Sequence, residues 1–156
     1  RAAAILRQMG TPLLIHQPRY SMLDRWVENG LLDTIEREGV GSIAFSPLEQ
    51  GILTDRYLNG FPEDSRAVRD GRYLRAGGIR PETIEKVRQL NEIAKKRQQT
   101  MAQMAIAWLL KDSRITSVLV GASSPKQMLD NIGAANNLSF STEELADISN
   151  IISASA

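Results

Sequence analysis

Three short apolar runs, set well apart along the chain with stretches of helical period between and after them, limit what it can become. The runs are Leu13-Leu14-Ile15-His16-Gln17, Val40-Gly41-Ser42-Ile43-Ala44-Phe45 and Thr116-Ser117-Val118-Leu119-Val120. Each is too short for a helix and is flanked by proline, glycine or serine, as strands are. Strands alternating with longer helices pair in parallel, because each helix carries the chain back to the start of the sheet. The runs are apolar throughout, as in sheets covered on both faces. Three strands cannot close a (β/α)8 barrel, which takes about 250 residues. The best fit is therefore an α/β chain supplying the last three βα units of such a barrel over residues 1–156, with the first five units lying before it. A complete small doubly wound domain is the other architecture, but the glycine-rich turn it needs after its first strand is absent.

The helical stretches carry their own start and stop signals. Residues 1–10 read as the back half of a helix ending at Gly10, with Pro12 just beyond. That stretch has neither an N-cap nor an initiator methionine, so residue 1 is expected to be internal to a longer parent. Met22 to Glu38 is predicted helical, in two pieces around Asn29-Gly30, with Leu23, Val27, Leu31, Leu32 and Ile35 as its buried stripe. Pro81 opens a helix that places Ile84, Val87, Leu90 and Ile93 on one face and Lys95, Lys96 and Arg97 near its C-terminus, where cations suit the dipole. Thr100 with Gln103, and Ser141 with Glu144, form capping-box patterns. They start helices whose inward residues are Met101, Met104, Ala105, Trp108 and Leu109 in one, and Leu145, Ile148 and Ile152 in the other. Residues 58–80 hold five arginines and several glycines without helical or strand period. A connection of that length is more often functional or disordered than merely connective.

Composition narrows the function classes. A net charge of +1 gives no attraction for nucleic acid or membrane surfaces. The chain has no cysteine, which excludes a disulfide scaffold, thiolate chemistry and a cysteine zinc site. No metal-ligand pattern is present, and no apolar run approaches the roughly 20 residues of a membrane span. With no signal peptide visible, a cytoplasmic protein is expected. Homo-oligomerisation is left open.

The stretch from Ile115 to Asn131 is the most suggestive. A short strand breaks at Gly121-Ala122-Ser123, and a helix then starts with Ser124 as N-cap, Pro125 at its first position and Gln127 at its third. Free backbone N–H groups and the positive end of a helix dipole meet there, which attracts phosphate. An ordinary strand-to-helix turn has the same local pattern.

Three signatures in order decide between these. His16-Gln17-Pro18-Arg19-Tyr20-Ser21-Met22-Leu23-Asp24-Arg25 resembles the Gln-x-x-Tyr-Asn-Leu-Leu-x-Arg stretch of aldo-keto reductases. Phe45-Ser46-Pro47-Leu48 with Gly51-Ile52-Leu53-Thr54-Asp55-Arg56-Tyr57 resembles their seventh-strand signature, and Ser117 to Ser123 with Gln127 and Asn131 their eighth strand and cofactor helix. The similarity covers nearly the whole chain and lies in the branch holding bacterial glyceraldehyde-3-phosphate reductases and potassium-channel beta subunits. It implies an NADP-dependent (β/α)8 barrel that reduces an aldehyde or ketone, such as glyceraldehyde 3-phosphate or methylglyoxal, to an alcohol. The family's catalytic Tyr, Lys, Asp and His follow early strands, which places them before residue 1. Tyr20 and His16 match in type but not in position, so no catalytic residue is expected here and this chain alone is expected to show no turnover.

What the resemblance places in residues 1–156 is the cofactor half. Gln17 meets the nicotinamide carboxamide and Phe45 stacks on its ring. Ser46, Pro47 and Leu48, with Arg56, line the pyrophosphate, and Arg66 reaches over it. Gly121 admits the adenosine end, Ser123 faces the 2′-phosphate of NADPH, Gln127 and Asn131 meet the adenine, and Gln50 and Asp130 complete the cofactor-binding set. The lysine and arginine with which many relatives grip the 2′-phosphate are absent near Gly121 and at Gln127, as in the channel-subunit branch. Two other readings stand beside the enzyme: a nucleotide-sensing subunit that docks on a partner, and an inactive half-barrel.

Overall fold

The computed structural model describes residues 1–60, 62 and 79–154. Helix α1 (Ala2–Gln8) leads to strand β1 (Ile15–His16), helix α2 (Leu31–Glu38) and strand β2 (Gly41–Ala44). Helices α3 (Pro81–Lys96) and α4 (Met101–Leu110) precede strand β3 (Ser117–Val118), and α5 (Pro125–Ile132) and α6 (Thr142–Ser153) close the chain. The three strands form one parallel sheet in the order β1-β2-β3. Ile15 lies opposite Gly41 and His16 opposite Ser42; Ile43 lies opposite Ser117 and Ala44 opposite Val118. The α/β class and the parallel pairing are as the alternation predicts.

The ladder is shorter than the apolar runs. Leu13, Leu14 and Gln17 fall outside β1, and Thr116, Leu119 and Val120 outside β3. Among the described residues both strands have a neighbour on one side only, so their ends have no second ladder to extend them. Backbone bonds nevertheless carry the pairing further. Thr116 N–H donates to the Ser42 carbonyl at 2.8 Å, Leu119 N–H to the Ala44 carbonyl at 2.8 Å, and Phe45 N–H to the Pro18 carbonyl at 3.0 Å.

The helices pack on one face of this sheet. Ser42 and Ala44 of β2 point into the packing and are fully buried. The predicted inward residues of α4 are all buried, as are Val87, Leu90 and Ile93 of α3 and Ile148 of α6. Exposed apolar residues at the strands and their ends include Leu14, 71% exposed, with Ile15, Phe45 and Leu119. Burial at about 25 cal/mol per Å2 is the main force holding such layers, and here the described residues realise it chiefly on the helix-covered face.

Two helices end where glycine permits a left-handed residue. Gly10 at φ 71° donates to the Arg7 carbonyl while Thr11 donates to Leu6; Gly39 at φ 68° donates to Glu36 while Val40 donates to Ile35. Both are Schellman closures, which use up orphan carbonyls of the last turn. The capping boxes at Thr100–Gln103 and Ser141–Glu144 form with both reciprocal bonds.

One expectation needs correction. Met22 to Arg25 is not helical. The Ser21 hydroxyl oxygen accepts the N–H groups of Leu23 at 3.2 Å and Asp24 at 3.0 Å, closing a tight turn instead. Only a 3-10 turn, Trp26–Glu28, precedes α2. Arg97 stands at the C-terminal cap of α3, as expected, and also bridges to the chain beyond it. Its side chain is 3% exposed and donates to Glu144 at 2.8 Å, to the Ser139 carbonyl at 2.9 Å and to Gln99 at 2.9 Å, lying over the Phe140 ring. It thereby clasps α3 to the start of α6. No helix of the described residues is long and apolar enough to cross a membrane.

Candidate functional site

Parallel strands deliver their C-terminal ends to one edge, so the segments after β1, β2 and β3 emerge side by side. These segments hold Gln17, Phe45 to Gln50 and Gly121 to Ser123. Gln17 is exposed just past β1. Phe45 follows β2 and is 39% exposed as a residue, while its backbone is fixed by Pro18 on one side and by Tyr20, whose N–H donates to the Phe45 carbonyl at 3.2 Å.

The turn after Phe45 is tightly wound. Ser46 (φ 57°), Glu49 (φ 44°) and Gln50 (φ 57°) all adopt left-handed backbone without being glycine, and Gly51 follows at φ 97°. Such conformations persist only where surroundings over-determine them, and they cluster at functional sites. Pro47 is buried; Ser46, Leu48 and Gln50 are half-buried. Arg56 is exposed in the next 3-10 turn, Asp55–Tyr57, its backbone N–H capped by the Thr54 hydroxyl at 3.2 Å. Arg66 lies outside the described residues.

The segment after β3 is built differently. A Cβ on Gly121 would meet nothing within 4 Å, and Gly121 does not hold a left-handed backbone. The fold itself therefore does not demand glycine there, which leaves room for a ligand to approach the backbone. Ser124 caps α5 as predicted, accepting the Gln127 N–H at 3.2 Å. The reciprocal half of the expected capping box does not form. Gln127 Oε1 instead accepts the Ser123 N–H at 2.7 Å and the Ser123 hydroxyl at 3.0 Å, one residue further back. Ser123 and Gln127 are thus partners of one another. The Asp130 carboxylate is taken up by α4: Oδ1 accepts from Gln103 Nε2 at 3.0 Å and Oδ2 from the Thr100 hydroxyl at 3.2 Å. Asn131 is 3% exposed, and its Nδ2 has no hydrogen-bond partner among the described residues. A buried amide left unpaired costs about 1–3 kcal/mol, so it stands ready for an acceptor.

Sequence reasoning missed a charged network behind the first two segments. Glu49 is buried and accepts from Arg19 Nη2 at 2.5 Å and from the Ser21 hydroxyl at 3.0 Å. The bond to Glu49 raises the Arg19 pKa, against the opposing effect of burial. Beside it, the Tyr20 hydroxyl donates to Glu28 Oε1 at 2.7 Å, and Arg25 holds the same carboxylate at 2.8 and 2.7 Å. Burial works against the charge on Glu28, but the bonds from Arg25 and Tyr20 outweigh it and hold the carboxyl below its ordinary range. Burial, followed by the bond to Glu28, pushes the Tyr20 hydroxyl far up, so it remains a donor. Arg25 and Lys111 also sit over the Trp108 ring, at 5.2 and 4.1 Å from its centre. Arg25–Glu28 is a local i,i+3 pair, but the Arg19–Glu49 pair spans 30 residues, so no spacing rule reveals it.

This geometry can be set against known proteins. The model of the aldo/keto reductase family matches residues 1–153. The chain belongs to the aldo/keto reductase family. Among its relatives, the L-glyceraldehyde 3-phosphate reductase of Escherichia coli O157:H7 is 56% identical over 150 residues, 92% of this chain and 43% of that protein. The corresponding protein of Escherichia coli strain K12 is 55% identical over the same length. A putative voltage-gated potassium channel subunit beta of Schizosaccharomyces pombe is 35% identical over 133 residues, 83% of this chain and 39% of that protein. The chain thus spans less than half the length of these curated relatives. This aldo/keto reductase chain falls in the branch the sequence signatures indicate, alongside both reductases and channel subunits.

Proposed function

We propose that this chain is the cofactor-holding part of an NADP-dependent reductase that converts an aldehyde or ketone to an alcohol, glyceraldehyde 3-phosphate and methylglyoxal being the first carbonyl substrates to try. The carrying observation is convergence. Three segments at one sheet edge bring an exposed amide (Gln17), a part-exposed aromatic ring (Phe45), an open glycine (Gly121) and a capped helix start with an unpaired buried amide behind it (Asn131). These are groups that fit a dinucleotide laid across the strand ends. In this reading the chain forms the last three βα units of a (β/α)8 barrel, and the remaining strands cover the exposed apolar residues of the sheet.

The bound nicotinamide supplies the hydride. The residues here bind and orient. Gln17 offers both donor and acceptor to the carboxamide, and Phe45 lies flat against the ring to fix the face presented. Ser46 to Leu48, Gln50 and Arg56, with Arg66, take the pyrophosphate. Ser123 gives up its bond to Gln127 and donates to the 2′-phosphate beside the α5 N-terminus. Gln127 and Asn131 meet the adenine, while Asp130 pins α5 to α4 and so sets where Asn131 stands. The test is fluorescence titration of the intact protein with NADPH and NADH, followed by NADPH oxidation with the two carbonyl substrates. Saturable binding with NADPH preferred supports the reading. Absence of binding to either cofactor refutes it.

A further inference from the structure

We propose that Glu49 is a positioning residue: its buried carboxylate holds the left-handed Ser46–Gly51 turn in shape and so sets the pyrophosphate and nicotinamide end of the cofactor site, leaving the adenosine end untouched. This rests on the cofactor reading above. Three non-glycine residues with positive φ within five positions, Ser46, Glu49 and Gln50, do not keep that backbone by local preference. Something must hold them, and the side chain in the middle of the turn is tied on both oxygens. Oε1 accepts from the Ser21 hydroxyl at 3.0 Å and Arg19 Nε at 3.3 Å, and Oε2 from Arg19 Nη2 at 2.5 Å.

The anchors are themselves anchored. Ser21 is fully buried and accepts the N–H groups of Leu23 and Asp24. Arg19 also pairs with Asp24 at 3.2 Å. Residues 19–24 and 46–51 therefore move as one unit. Gln17 enters that unit at one end and Phe45 at the other. Glu49 is 8% exposed and its acceptors are occupied, so it acts on the cofactor through the turn rather than by contact. Among the described residues, no bond of this network reaches residues 121–131.

The measurement uses the intact protein and two ligands: NADPH, which spans the site, and adenosine 2′-monophosphate, which has no 5′-phosphate and fills only the adenosine end. Glu49→Ala should weaken NADPH about tenfold, as loosened positioning does, while adenosine 2′-monophosphate stays within about twofold. Glu49→Gly removes the same carboxylate but adopts φ 44° freely, so it should recover part of the NADPH affinity that alanine loses. Glu49→Gln, nearly isosteric, gives the same NADPH-only loss at smaller size should the alanine variant fail to fold. Equal losses for both ligands would reduce Glu49 to general stability and overturn the proposal, as would unchanged NADPH affinity. If the unaltered protein binds neither ligand, the cofactor reading falls and takes this inference with it.

Discussion

The two ends of the candidate site are built on opposite plans. Behind Gln17 and Phe45 the chain is buried, charged and strained. Tyr20, Met22 and Ser21 are sealed in the core, Glu49 is locked to Arg19, and three non-glycine residues sit in left-handed backbone. At Gly121 to Gln127 the chain is open, with exposed residues, space over the glycine and side chains bonded only to near neighbours. The difference separates two tasks. A ring that must present one face needs a rigid seat, because geometry there sets rate. A phosphate anchor needs only donors and a helix dipole, which an exposed turn supplies. Substitutions should therefore split: stability and geometry at the first end, affinity at the second.

The largest effect should come from the closed end. Tyr20→Ala empties a fully buried site against Trp108, whose ring centre lies 5.7 Å away. It should cost about 3–5 kcal/mol of folding free energy, read as a lowered midpoint in urea. A cost under about 1 kcal/mol, the size of one lost hydrogen bond, would mean the closed end is not held by burial.

At the open end the larger effect should be on binding. Ser123→Ala removes a neutral donor to a charged group, about 1.5–3 kcal/mol, or tenfold and more in NADPH affinity. NADH, which lacks the 2′-phosphate, should hardly change, and neither should the melting temperature, because Ser123 is exposed. Equal weakening of both cofactors would remove the 2′-phosphate from this turn. Ser124→Ala should be smaller: loss of the N-cap bond to Gln127 frays α5 at a cost of about 1 kcal/mol. It should weaken NADPH, NADH and 2′,5′-ADP alike, since all share the adenosine moiety.

The open end was also the more legible one in the sequence. Ser124 with Pro125, Thr100 with Gln103 and Ser141 with Glu144 are local patterns, and a local pattern needs only its own few residues to form. Even so, Gln127 reached past Ser124 to Ser123, because two donors on one residue outcompete a single one. The closed end was illegible for the opposite reason. Met22 to Arg25 reads as helix by period, but Ser21 captures the N–H groups a helix would use, and Tyr20 and Met22 are drawn into the core. Glu49 looks like a solvated loop acid until Arg19 arrives from 30 residues away. Strand position and sheet order followed from alternation, whereas strand length depended on which neighbour each edge could find.

The smallest expected effect is a pH dependence that belongs to the closed end. Glu28 accepts from Tyr20 and from Arg25, and these bonds outweigh burial to keep its carboxyl below the ordinary 4.5. A group whose folded value is lowered takes up a proton more readily when the chain unfolds. Its contribution is therefore complete above about pH 4.5 and is lost as pH falls through the lower, folded value. Tyr20 does not offset this, because its hydroxyl is pushed up and stays protonated throughout. Calorimetric melts between neutral pH and the acid range should thus show a falling midpoint, to which other carboxylates also contribute. Glu28→Gln isolates the share of this one group: it should lower the midpoint at neutral pH and flatten the acid slope, so that the two curves approach each other in acid. Parallel curves would show that Glu28 is held no more tightly in the folded chain than in the unfolded one. The contrast between the two ends would then rest on packing and backbone strain alone.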